Sequence, residues 1–457
     1  MIKMKELQVN DILKKCGGVL INGNVNEILE DFSKDTRTIK KDDIYIGIKG
    51  ENFDGNTLWK DALEKGAKGC IIQGIEFLEE DIANFKDKII IKVDDTLEYL
   101  YKLAEYKRSL YDIPVIAITG SVGKTSTKDV IASVVGMKYK TLKTEGNNNN
   151  NIGLPMTILR LKDHEAAVLE MGMNHFGEIN LLSKIAKPTL AVITNIGTAH
   201  IGILGSRENI LKAKLEILDG MYEKNIVINN DNDLLHDWST KNKECNVYTY
   251  GIENESDFIA KNIELEEFGS KFTYENNIIK VPVGGIHFIY NSLSAIAVGK
   301  YLGISSEKIK MGIEKFELTK KRMDIMEKRA AMIINDSYNA SFESMKASLA
   351  YLASVSKSRK IAVLGDMFEL GDYSKELHEK VGEEVVKNKI DILISCGENA
   401  KNIVEKAKSK GMNSNNIYYL KNIEEIVDLL KNILNSDDAV LIKASNGMKF
   451  YNIIDMI

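Results

Sequence analysis

The chain has 457 residues, several times a typical domain of ~150 residues, which predicts two or three separately packed units and excludes a small scaffold stapled by disulfides or metal. Lys plus Arg number 61 against 66 Asp plus Glu, a formal net charge of −5; with no basic block long enough to track a phosphate backbone, nucleic acid is excluded as an expected partner. Hydrophobic residues make up 44% and charged residues 28%, the proportions of an ordinary folded, water-soluble chain.

The N-terminal segment carries Lys3, Lys5, Glu6, Asp11, Lys14 and Lys15, leaving no apolar stretch for a secretory signal, and no uncharged apolar run approaches the ~18 residues of a membrane helix. A cytoplasmic protein without membrane insertion is expected. Cys16, Cys70, Cys245 and Cys396 form no C-x-x-C pair and read as buried thiols. Apolar runs at 44–48, 69–72 and 89–93 alternate with polar helical stretches, a compact α/β unit assigned to residues 1–96. A helix over 95–110, with Leu97, Leu100, Leu103 and Ala104 on one face, leads through Pro114 into a strand at 115–118. Strands at 166–169, 190–194 and 225–229 follow at helix-length intervals, predicting a parallel sheet covered on both faces. From 257 to 283 the rhythm shortens around Phe268-Gly269 and Asn276-Asn277, an antiparallel flap on this middle unit. After a helix at 291–302, strands at 331–334, 361–364, 392–395 and 439–442 predict a second doubly wound unit. The middle and third units are assigned to 97–316 and 317–457.

Thr119-Gly120-Ser121-Val122-Gly123-Lys124-Thr125-Ser126 stands between the strand at 115–118 and a helix expected to start near Lys128. Strand, glycine loop and helix are the context of a phosphate-binding loop, in which backbone N–H groups and Lys124 face the phosphates and the Thr125 hydroxyl reaches Mg²⁺. The usual G-x-x-x-x-G-K-[ST] spacing would need glycine at Ile118, so the loop is a shortened form. Open α/β sheets build sites at the carboxyl ends of their strands. Glu170 ends one such strand, as a cation ligand or a solvated acid; His200 follows another by six residues, as a ligand or a structural histidine. In the helical segment 209–218, Lys212 and Lys214 read on pattern alone as solvated. The run Asn147 to Asn151, with Gly153 and Pro155, is either a polar turn or a cluster of amides suited to a carboxylate or sugar.

Taken together, these motifs resemble the ATP-dependent Mur ligases of peptidoglycan synthesis over essentially the full chain. The short loop, Thr144 to Pro155, Glu170-Met171-Gly172 and Ala199-His200 agree in order and spacing with the family's middle domain. Asp336-Ser337-Tyr338-Asn339-Ala340, Gly365-Asp366-Met367, Glu369-Leu370-Gly371 and His378, with Asp35-Thr36-Arg37, Lys49-Gly50 and Phe53-Asp54-Gly55, resemble the member that adds D-alanyl-D-alanine to UDP-N-acetylmuramoyl-tripeptide. The implied fold is α/β in three domains: a small N-terminal α/β domain for the UDP-sugar, a central P-loop parallel-sheet ATPase domain, and a C-terminal Rossmann-like domain that binds the dipeptide and closes on ATP. The implied reaction is amide ligation through an acyl phosphate, with Lys124, His200 and Lys214 catalytic. Gly120, Ser121, Val122, Gly123, Lys124, Thr125, Ser126, Asn291, Arg322 and Asp336 would bind ATP. Thr125 and Glu170 would hold one Mg²⁺, and His200 and a carbamylated Lys214 a second. Asp35, Thr36, Arg37, Lys49, Asn147, Asn149, Asn150, Tyr338 and Asn339 would contact substrate, and a monomer is expected. The chain departs from the family pattern at Asn56, where a His is usual, at Ser341-Phe342 for Asn-Pro, and at Asn446 for Arg. The alternatives are another Mur-type ligase adding a single amino acid, or a P-loop switch. The guanine-specificity look-alike Asn388-Lys389-Ile390-Asp391 precedes its strand instead of following it, which argues against the switch.

Overall fold

The structure, a computed structural model, describes residues 6–266, 268–319 and 322–457; Lys3 and Lys5 lie outside them. Four sheets of three or more strands organise the chain. The first has five strands in the order Val19–Asn22, Ile89–Lys92, Gly69–Ile72, Ile44–Ile46, Phe32–Ser33, parallel except for Val19–Asn22. One face packs Tyr45, Cys70, Ile72 and Ile90 against Trp59, whose ring meets Phe77 and Phe85 edge-on at 5.4 and 5.6 Å.

The middle sheet has seven strands in the order Phe258–Ile259, Asn246–Gly251, Asn225–Asn229, Leu190–Ile193, Val115–Thr119, Ala166–Glu170, Thr141–Lys143. Every pairing is parallel. Leu190–Ile193, Val115–Thr119 and Ala166–Glu170 are buried along their whole length, because helices cover both faces; that is why they read as apolar runs. Val115–Thr119 sits where the strand order reverses, so its following loop opens into the crevice of the sheet. That loop reaches its helix sooner than expected: the helix spans Lys124–Gly136, with Gly123 left-handed at its N-cap (φ +82°), so Lys124, Thr125 and Ser126 form its first turn.

Two further boundaries differ from expectation. Phe258–Ile259 joins the parallel sheet because Asp257 Oδ2 accepts both the N–H and the Oγ1 of Thr249 at 2.8 Å. The flap is therefore Lys261–Glu266, Gly269–Tyr274 and Asn277–Val281, antiparallel throughout. The helix expected from Asn291 starts at Ile286, behind Gly285; with no Ser, Thr, Asp or Asn cap, its first turn carries no sequence signal.

The third sheet has six strands in the order Asp324–Lys328, Ala331–Asn335, Asp438–Lys443, Arg359–Gly365, Ile392–Cys396, Ile417–Leu420. All are parallel but the first. Its carboxyl edge faces that of the middle sheet, and the two edges wall one cleft of about 690 Å³.

Candidate active site

The phosphate loop is held by the strand ends beside it. Ser121 N–H and Val122 N–H donate to the backbone oxygen and Oδ1 of Asn195, each at 3.0 Å. Gly120 packs against Thr194 so closely that a Cβ there would lie 1.8 Å from Oγ1. Lys124 Nζ donates to Gly120 O at 2.9 Å, closing the loop on itself. Burial lowers the Lys124 pKa, Glu170 pulls it back up, and Arg322 adds to the fall.

Glu170 is 1% exposed. Its carboxylate accepts Thr125 Oγ1 at 2.8 Å and Asn149 Nδ2 at 2.7 Å. Those donors are neutral, so the buried carboxylate has no cationic hydrogen-bond partner; with the Thr125 hydroxyl beside it, its oxygens fit a hard divalent cation. Of the other asparagines, Asn150 uses Oδ1 to accept the N–H groups of Ile152 and Gly153 at the start of helix Gly153–Leu159, and Asn147 is exposed at the cleft wall. His200, left-handed at φ +65°, places Nδ1 2.5 Å from Glu369 Oε2 across the cleft, and this contact lowers the Glu369 pKa.

Lys214 corrects the reading from pattern. It lies on helix Arg207–Leu215 one turn after Ile210, and i,i+4 residues share a face; Lys214 is therefore buried with Ile210 and Ala213 at 1% exposure, while Lys212 stays in solvent. Desolvation moves its pKa well below the lysine value, and the like charge of Lys124 adds to the shift.

The third unit supplies the opposite wall. Asp336 Oδ2 accepts Ser348 Oγ at 2.7 Å and Lys443 Nζ at 2.5 Å, and Lys443 also donates to Asn339 O at 3.1 Å. The Arg322 guanidinium lies 4.0 Å over the Tyr338 ring. Its Nε and the Nδ1 of His287 are buried in the cleft wall without a protein partner, and burial holds the His287 pKa down to about 4. Asn291 Oδ1 accepts Thr127 Oγ1 at 2.9 Å, which turns it toward the phosphate helix.

The structure thus brings together Ser121, Val122, Gly123, Lys124, Thr125, Ser126, Asn147, Asn149, Asn150, Glu170, His200, Asn291, Arg322, Asp336, Tyr338 and Asn339 around one cleft. Asp35, Thr36, Arg37 and Lys49 do not line it; they sit on the first unit, where Arg37 pairs with Asp35 at 2.7 Å and the backbones of Lys49 and Asp54 form an isolated antiparallel β-bridge.

Residues 118–299 match the Mur ligase middle domain, and residues 321–446 match the Mur ligase, glutamate ligase domain. A UDP-N-acetylmuramoyl-tripeptide--D-alanyl-D-alanine ligase of Bacillus subtilis is 36% identical over 454 residues, 98% of this chain and 97% of that protein. The chain belongs to the Mur ligase family. The ligase of the same description from Escherichia coli is 33% identical over 87% of this chain and 86% of its own. A crystal structure of MurF from Acinetobacter baumannii superposes with a TM-score of 0.88 at 27% identity, covering 99% of both chains. The MurF ligase of Thermotoga maritima in complex with ADP superposes with a TM-score of 0.80 at 29% identity, over 93% of this chain and 96% of that one.

Four residues of this candidate site escaped the sequence reading. Asn195 holds the loop and His287 lines the cleft. Lys443 fixes Asp336, and Glu343 of the third unit accepts the N–H and hydroxyl of Thr198 in the middle one. A polar residue at the end of an apolar strand was the available signal for Asn195; Lys443 was hidden because it directly follows the apolar residues 439–442 in the strand Asp438–Lys443, all of it buried.

Proposed function

We propose that the chain is an ATP-dependent ligase that joins D-alanyl-D-alanine to UDP-N-acetylmuramoyl-tripeptide in the cytoplasmic assembly of peptidoglycan precursors. The observation that carries this reading is the convergence of the phosphate loop and Glu170 with Arg322, Asp336 and Tyr338 of the third unit on one cleft, in a chain that matches ligases of this description end to end. Residues 1–96 hold the uridine and sugar end through Asp35, Thr36, Arg37 and Lys49. Residues 97–316 bind ATP, and residues 317–457 bind the dipeptide. Among the described residues no helix is long and apolar enough to cross a membrane; the protein acts as a monomer in the cytoplasm.

In the first step a carboxylate oxygen of the tripeptide attacks the γ-phosphorus and the bond to the bridging oxygen of ADP breaks. Lys124 and the loop N–H groups neutralise and align the phosphates, which is most of what phosphoryl transfer asks of a protein. Arg322 presents its unpartnered Nε, and His287, neutral at pH 7, offers a ring nitrogen to the nucleotide. The third unit covers the cleft and keeps water from the acyl phosphate. In the second step the dipeptide's amine attacks the acyl carbon; the carbon–oxygen bond to phosphate breaks, phosphate leaves with that oxygen, and the ammonium has given up two protons.

Thr125 and Glu170 hold one Mg²⁺ and His200 faces a second; bound there, the cation adds positive charge against the phosphates. Lys214, whose burial favours the neutral amine, takes up CO₂ with loss of a proton to become a carbamate, a negative group where an ammonium would oppose Lys124. Purified protein with ATP, Mg²⁺ and the UDP-tripeptide releases ADP stoichiometrically only when D-alanyl-D-alanine is present, with a product heavier by the dipeptide. Release with a single amino acid in its place overturns the substrate assignment.

A further inference from the structure

The loop that follows strand Leu190–Ile193 touches the phosphate loop on one side and the third unit on the other. On the first side, Gly197 N–H donates to Ser121 Oγ at 2.9 Å. On the second, Glu343 accepts Thr198 N–H on Oε1 at 2.8 Å and Thr198 Oγ1 on Oε2 at 3.1 Å. The approach is close: a Cβ on Gly197 would lie 2.6 Å from the Glu343 carboxyl carbon, so only glycine admits the carboxylate here. Glu343 stands in the first turn of helix Phe342–Ser354, whose start is fixed by Ser341 in a capping box with Ser344. Its direction is therefore set by the third unit. The nearby Arg207 is bound to Asp233 and to Ile196 O, so Glu343 is not an ordinary surface ion pair; its hydrogen bonds run to a backbone N–H and a hydroxyl of the other unit.

We propose that Glu343 is a positioning residue for the ligation, seating the third unit on the middle unit through Thr198, beside the phosphate loop that Gly197 touches. This rests on the ligase reading above. Arg322, Asp336 and Tyr338 travel with Glu343 on the third unit, so the wall they form meets the nucleotide in register only when Glu343 is seated on Thr198. Phosphate contacts from the loop itself do not depend on that seating. Loss of Glu343 therefore lowers kcat while leaving nucleotide binding by the loop nearly intact.

The test is steady-state ligation by the full chain, with Glu343→Ala, Glu343→Gln and Glu343→Asp beside wild type. Glu343→Ala lowers kcat by about tenfold or more with the KM for ATP changed less than about threefold. Gln keeps the length and one acceptor oxygen for the Thr198 N–H, and can donate to its hydroxyl; it stays within about threefold of wild type. Asp keeps the charge but falls short of Thr198, and behaves like Ala. A kcat for Glu343→Ala within twofold of wild type overturns the inference, as does a Gln variant as impaired as Ala beside an active Asp variant. The Gln and Asp comparison keeps the answer readable if the Ala variant folds poorly. A wild-type chain that forms no amide overturns the proposed function itself, a result distinct from an active wild type with an undiminished Glu343→Ala.

Discussion

Burying an ammonium such as that of Lys214 costs several kcal/mol, and this burial, with the like charge of Lys124, favours the neutral amine. If Lys214 carries the proposed carbamate, Lys214→Ala is expected to abolish turnover and to recover part of it with added short carboxylic acids, which would stand in for that group; unchanged activity in a turnover assay would return Lys214 to a packing role. His287 gives a pH signature. Burial lowers its pKa to about 4, Asp336 opposing and Lys443 adding, so between there and the ordinary value near 6.5 the unfolded chain binds a proton that the folded chain does not. Its contribution to stability is full above pH 6.5 and lost as pH falls toward 4. Thermal melts over that window should fall with acid, and His287→Gln should flatten the slope; an unchanged slope contradicts the assignment. Of these residues the sequence marked Glu170 best, because a carboxylate ending a buried strand is conspicuous. The burial of Lys214 was invisible in local pattern: alternating lysines look solvated until the i,i+4 relation to Ile210 is placed against the sheet.

At the scale of the element, the phosphate loop separates two demands on glycine. Gly123 has φ +82° with nothing nearer than 3.7 Å to a Cβ, so Gly123→Ala costs only the left-handed strain of about 1 kcal/mol. Gly120 would drive a methyl into Thr194, and Gly120→Ala should cost several-fold more in chemical denaturation and displace the loop from Asn195. Equal losses for the two variants would contradict this geometry. The departure Ser341-Phe342 is conservative in the same terms: Ser341 caps its helix as Asn would, and Phe342 takes the first helical position where proline is usual. Central strands were legible because a strand buried on both faces must be apolar throughout. The edge strands Asp324–Lys328, Ile417–Leu420 and Thr141–Lys143 were missed, being half-exposed and mixed in composition. Nothing local distinguishes such segments from loops; the neighbouring strand makes them strands.

Across the whole molecule, the chemistry depends on units far apart in sequence. Thr198 meets Glu343, Gly202 N–H donates to Glu369 O at 3.1 Å, and Tyr373 OH donates to Gly205 O at 2.8 Å. These three contacts between middle and third units are hydrogen bonds, and beside them apolar residues of both units share one buried cluster. The three α/β series were readable from the order of apolar runs, and the phosphate loop from its glycines. Glu343 was not, since it sits in a polar segment whose meaning comes only from what faces it across the cleft. The central claim is that one oxygen of the substrate carboxylate passes to phosphate on the way to the amide. The most direct measurement is ligation of UDP-N-acetylmuramoyl-tripeptide carrying ¹⁸O in its terminal carboxylate to D-alanyl-D-alanine, with mass analysis of the released phosphate. One labelled oxygen per phosphate, matched to one amide formed, is the result expected; amide formed with unlabelled phosphate would contradict the acyl phosphate and the reading of this site.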